Sequence, residues 1–238
     1  MKKITIIIVS LLMLCCLGSV GFMIYRSYFA DKPVEAQAVF DKMLAFEEEF
    51  KKVPTDFTIS SEVEVGDEKN STFATWDYQN NVGGFQGFCK VVKTDSGYEM
   101  TDSNGQVSSY TEQQAVDCGK QLVVNVCAVS AMGFEGKTVE EFADIFAKAA
   151  TDSLATEAKS YKSQGYQTKE GYTFYLSVKV EIEEKEYSLG MFVEMKDGKY
   201  SYVESDTMNA EKEIATMKTS YVYEFDAEKL DLWTAKNA

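Results

Sequence analysis

From Tyr172 to Ile182 the chain alternates without a break. Tyr172, Phe174, Leu176, Val178, Val180 and Ile182 are apolar, and the polar residues Thr173, Ser177, Lys179 and Glu181 fall between them, with Tyr175 the one exception. Successive side chains of a strand point to opposite faces, so this period of two requires a sheet with one face buried and the other wet. Tyr187, Leu189, Met191, Val193 and Met195 predict the next strand. Asp197-Gly198 then predicts a two-residue hairpin turn, because both residues tolerate positive φ. Placing Lys196 opposite Lys199 sets Met195 beside Tyr200 and Val193 beside Tyr202, so turn and hydrophobic pattern imply one register. The alternation leaves Tyr175 on the polar face with Phe192 near it. These two form the candidate binding patch, since tyrosine suits both a half-wet sheet and a recognition surface.

The remaining chain alternates between helical and strand patterns. Residues 33–52 fit a helix: Pro33 suits a first turn, Val39, Phe40, Met43, Phe46 and Phe50 recur at helical spacing, and Pro54 closes it. Glu47, Glu48 and Glu49 are assigned to its polar side. Alternating segments at 57–65, 72–78 and 85–91, broken by turn residues, predict an antiparallel meander. Thr111 and Thr138 each begin a capping-box spacing. The second opens a helix expected to run to about Tyr161, whereas residues 120–129 fit helix and strand equally. Helix, meander and helix recur at an offset of about 102–104 positions, which suggests a tandem duplication, although two similar hairpins arising independently explain the match as well. The expected fold class is α+β, with an N-terminal transmembrane helix followed by antiparallel β-meanders, each sheet wrapped on a helix. In architecture alone this resembles cystatin-like or NTF2-like folds. The expected division is 1–30 for the cytoplasmic tip and anchor, 31–132 for a first module and 133–238 for a second.

Residues 4–25 carry no charge. At about 1.5 Å per residue they are long enough to cross the hydrocarbon core of a bilayer. They read as an uncleaved single-pass anchor that leaves residues 27–238 extracytoplasmic at a cell membrane. Two alternatives stand beside it: cleavage at Ser19-Val20-Gly21, and lipid attachment at Cys15 or Cys16, where Leu14 is a poor preceding residue. Three of the 24 basic residues, Lys2, Lys3 and Arg26, flank this run, leaving 21 against 38 acidic residues, a balance of −17. So acidic a surface repels phosphate backbones, and no nucleic-acid partner is expected.

Histidine is absent, so neither a Ser-His-Asp nor a Cys-His mechanism can be assembled from the chain. No phosphate-loop or dinucleotide motif is present. Gly83-Gly84 reads as a turn or bulge, and Asp95, Asp102 and Asn104 read as turn residues in place of a calcium loop. Catalytic residues, metal and cofactor are therefore all expected to be none. Among the cysteines beyond the apolar run, Cys89, Cys118 and Cys127 are disulfide candidates. If residues 111–129 form one helix, Cys118 and Cys127 lie too far apart along it to pair, so Cys89 would take one or the other; three unpaired buried thiols are the other reading. These features together predict a membrane-anchored extracytoplasmic binding or assembly protein whose partner is a protein or envelope component at the membrane surface. The alternative is a carboxylate- or metal-dependent surface hydrolase.

Overall fold

The computed structural model describes residues 31–209 and 211–235. A short strand, β1 (Lys32–Val34), leads into helix α1 (Ala36–Lys52). Six strands follow: β2 (Phe57–Val65), β3 (Glu68–Asp77), β4 (Val82–Phe85), β5 (Cys89–Thr94), β6 (Gly97–Asp102) and β7 (Val107–Tyr110). Helix α2 (Glu112–Val126), a 3-10 turn at Ser130–Met132 and helix α3 (Val139–Ala150) connect them to a second run of strands. That run comprises β8 (Ser160–Gln167), β9 (Gly171–Ile182), β10 (Lys185–Lys196), β11 (Lys199–Met208) and β12 (Ile214–Val222), and helix α4 (Ala227–Asp231) closes the order.

This arrangement corrects the expected fold class. All twelve strands belong to one antiparallel sheet, ordered β1-β8-β9-β10-β11-β12-β2-β3-β4-β5-β6-β7. The two meanders are joined by β12 and β2, which pair in register from Ala215↔Val65 to Val222↔Thr58. There are thus not two sheets each wrapped on its own helix, and helix α1, which precedes the first meander, packs on β8, β9 and β11 of the second. The expected transmembrane span at residues 4–25 lies outside the described residues. No described helix is long and apolar enough to cross a membrane.

Helices α1, α2 and α3 cover one face of the sheet over two apolar clusters, and α4 lies on the other face, where Leu230 meets Gly84. The first places Val39, Phe40 and Met43 of α1 and Phe142 and Phe146 of α3 against Phe174, Leu176, Val178 and Val180 of β9. The second places Ala115, Leu122 and Val126 of α2 against Ile59, Trp76 and Val91. Phe46 and Tyr221 pack on both clusters and mark the seam between them. Each burial follows the sequence pattern: β9 alternates buried and exposed from Phe174 to Ile182, as one-face burial requires.

Local chemistry fixes the ends of these elements. Thr111 and Gln114, and Thr138 and Glu141, form reciprocal capping boxes at the starts of α2 and α3. The segment at 120–129 is helical as far as Val126. Helix α3 stops at Ala150 instead of continuing to Tyr161, which lies in β8. Asp152 and Ser153 there take positive φ, and Ser153 N–H bonds back to the Lys148 carbonyl, which reverses the chain. Gly83 and Gly84 lie within β4 and form neither turn nor bulge. A Cβ on Gly83 would meet the Trp76 ring at 2.5 Å, and one on Gly84 would meet Leu230 and Trp233 at 3.2 Å, so the pair admits large side chains from both faces.

Candidate functional site

The face of the sheet opposite α1, α2 and α3 carries a row of rings across four adjacent strands. Tyr166 of β8 meets Tyr175 of β9 edge-on at 6.3 Å, Tyr175 lies 4.7 Å from Phe192 of β10, and Phe192 lies 6.0 Å from Tyr202 of β11. The register explains the row, because Phe192 sits directly opposite Tyr175. The structure thus brings the two sequence-derived patch residues into contact. Tyr175 is 45% exposed, a large value for a ring on a strand paired on both sides.

Tyr202 was expected on the buried face and is found on the outer one. The turn is as expected, with Lys196 opposite Lys199, Met195 opposite Tyr200, and positive φ at both Asp197 and Gly198. Between Glu194 and Met195 the register then shifts, and Val203, not Tyr202, comes to face Val193. One extra residue in β11 reverses the faces beyond it. The bulge buries Val203 and turns Tyr202 outward, which adds the fourth ring.

A groove of about 400 Å³ lies against Tyr175 and Phe192 of this row, with Lys162 and Gln164 at one end and Glu204 and Asp206 at the other. Both carboxylates already accept internal hydrogen bonds. Tyr202 donates its hydroxyl to Glu204 at 2.7 Å, while Asp206 accepts from the Gly190 N–H at 2.8 Å and from the Thr216 hydroxyl at 3.0 Å. Burial, and then the hydrogen bond and charge of Glu204, push the Tyr202 hydroxyl up to about 12, so it is a donor across the whole physiological range. Farther along the same face the character changes to a charge ladder of Glu62, Lys69, Glu64 and Lys218. Hydrogen bonds from Lys218 and Lys69 pull the half-buried Glu64 down to about 2.

Behind this wall lies a second cavity, of about 270 Å³, at the seam between the two apolar clusters. Met191, Val203, Ser205 and Met217 form part of its floor, and Ala128 and Met132 lie in the connection above. Among the described residues no charged side chain lines it. Two of its hydroxyls, Ser61 and Thr219, satisfy each other at 2.9 Å.

Glu47 secures that connection. It was expected on the polar side of α1 with Glu48 and Glu49, yet it is only 1% exposed. One carboxylate oxygen accepts from the Val129 N–H and the Tyr200 hydroxyl, both at 2.7 Å. The other accepts from Ser130 N–H at 2.8 Å and Ser130 Oγ at 2.6 Å. Burial, and then the Glu47 charge, raise the Tyr200 hydroxyl well above its ordinary value.

Of the three cysteines, two come together. Cys89 Sγ at the start of β5 lies 3.9 Å from Cys118 Sγ on α2, whereas Cys127 is fully buried at the end of α2. Burial, and then the Glu47 charge, push the Cys127 thiol up to about 12. Asp102 is a turn residue, accepting through one oxygen from the N–H groups of Asn104 and Gln106. Among the described residues no three acidic or thiol side chains stand close enough to hold a metal ion.

No family model matches the chain, and no curated protein is similar to it in sequence. Among solved structures, one similar fold is a DUF1329 family protein from Desulfovibrio piger, with 8% identity and a TM-score of 0.27 over 82% of this chain and 94% of that one. Another is the hypothetical lipoprotein YmcC from Escherichia coli, with 9% identity and a TM-score of 0.22 over 78% of this chain and 91% of that one. At such TM-scores neither likeness carries weight for fold or function.

Proposed function

We propose that this chain is a non-catalytic binding protein, exported and retained at the membrane by the apolar run at residues 4–25, that docks a protein component of the envelope on the outer face of its sheet. The four-ring row from Tyr166 to Tyr202 is the observation that carries the reading. Aromatic rings at the centre of a patch, ringed by polar groups with satisfied hydrogen bonds, are the arrangement from which interfaces draw most of their energy. Glu204 and Asp206 are both engaged as structural acceptors, which argues against their serving as the paired acid and base of a hydrolase.

The test is site-specific photo-crosslinking in cells producing the full chain. A photoreactive phenylalanine at position 175 is expected to give one discrete adduct in the membrane fraction, and the same probe at Lys69, on the charge ladder, is expected to give none. Phe192→Ala should reduce the adduct at 175 at least tenfold. Equal labelling from both positions, or none from 175, would overturn the reading.

The inner cavity favours a second activity on the opposite face, the holding of a small apolar ligand. Its volume exceeds the roughly 150 Å³ of an apolar cavity that holds benzene. Met132, Met191 and Met217 give its wall the adaptability of thioether side chains.

A further inference from the structure

The structure assigns Cys89 and Cys118 as the two halves of a disulfide that staples helix α2 to the β5 end of the sheet, leaving Cys127 as a permanently reduced, buried thiol. Cys89 occupies the first position of β5, on the same face as the fully buried Val91, two residues away, and that face lies beneath α2. Cys118 projects from α2 along the line of Ala115 and Leu122, which pack into the same cluster. With the sulfurs 3.9 Å apart, bond formation needs an approach of about 2 Å, within reach of side-chain rotation. Both cysteines are only half-buried, so a small oxidant can reach them, whereas Cys127 is fully buried.

The reaction needs an oxidant of the disulfide class. The Cys89 thiolate attacks one sulfur of that disulfide and expels the other as a thiolate, which takes up a proton. Cys118 then gives up its proton and attacks the mixed disulfide at the Cys89 sulfur, expelling the second thiol. In sum two S–H bonds are lost, one S–S bond forms, and the oxidant is reduced to two thiols. The contact with the Cys118 thiol lowers Cys89 below the usual thiol range and holds Cys118 above it, which fits Cys89 as the first nucleophile.

The consequence extends beyond the pair. Helix α2 runs directly into the segment that Glu47 grips at Val129 and Ser130 and that lines the inner cavity. A staple at Cys118 therefore fixes the helix that leads into that segment, while Glu47 fixes the segment itself. The inference stands independently of the outer docking face, although export to an oxidising compartment is what would supply the oxidant in the cell.

The test uses the purified full chain with oxidised glutathione, followed by alkylation and peptide mapping without reductant. A cross-linked peptide pair containing Cys89 and Cys118 is expected, with Cys127 alkylated only after unfolding. Oxidised chain should melt roughly 5–10 °C above reduced chain, Cys127→Ser should retain that gap, and Cys89→Ser and Cys118→Ser should each abolish it. Free alkylation of both Cys89 and Cys118 after oxidation, or a link between Cys89 and Cys127, would overturn the assignment. Because oxidation is carried out on purified protein, a chain that never leaves the cytoplasm would still reveal whether the pair is built to close.

Discussion

Glu47 shows how one charged side chain can decide a local structure. It sits four residues after Met43, seven after Phe40 and three before Phe50, all of them buried. By spacing it therefore belongs to the apolar stripe, not to the polar side suggested by its neighbours Glu48 and Glu49. That signal was present in the sequence, but the partners were not: Val129, Ser130 and Tyr200 lie 82, 83 and 153 residues away. Glu47→Gln keeps the volume but removes one acceptor and turns an amide toward the Ser130 donors. Leaving buried donors unmatched in this way costs about 3 kcal/mol, and denaturant unfolding should show that loss with an unchanged m-value. A variant as stable as the parent would mean that the carboxylate does not hold the connection.

At the scale of elements, strand identity and turn chemistry were legible wherever the pattern was strict. The β9 alternation and the Asp197-Gly198 turn are local properties, and each survives intact in the structure. What failed was the continuation of register past Glu194, because a bulge inserts one residue without leaving any mark in the hydrophobic pattern. Tyr202 could have been assigned to either face, and only the pairing with β10 decides. The candidate patch was therefore half visible: Tyr175 and Phe192 followed from alternation, while Tyr166 and Tyr202 needed the neighbouring strands. The inner cavity was not visible at all, since it arises where one continuous sheet faces two separate helical clusters. Its ligand-holding role predicts the behaviour of Ser205→Leu, which fills the cavity from a position only 2% exposed. The variant should bind the apolar dye N-phenylnaphthylamine at least tenfold more weakly than the parent while melting at the same temperature or higher. Unchanged dye binding would place the dye, and the apolar site, elsewhere.

For the whole molecule, the feature that the sequence hid is the pairing of β12 with β2, between residues about 150 positions apart. A strand's side chains reveal which face is buried, but its backbone edge carries no sequence mark of its partner, so two meanders look like two sheets until they are joined. The join also gathers tyrosines at the seam. Tyr200 is 1% exposed, Tyr221 packs on both clusters, and the Tyr223 hydroxyl donates to the Tyr200 carbonyl at 3.1 Å. Burial raises the hydroxyls of all three above the ordinary value of 10.0. The folded chain thus keeps these protons at a pH where the unfolded chain has lost them. Their contribution to stability is complete below about pH 10 and is lost as pH rises from there toward the raised folded values. Tyr200 alone contributes a slope of about 1.4 kcal/mol per pH unit in that window. Phenolate absorbance followed together with far-ultraviolet circular dichroism should resolve two classes among the 14 tyrosines. The seam class should ionise in one step that coincides with loss of the sheet signal above about pH 11, apart from the tyrosines that ionise while the fold persists. A single smooth titration of all the tyrosines with the sheet intact would show that water reaches the seam, and would remove the basis for treating the two clusters as joined by a dry seam.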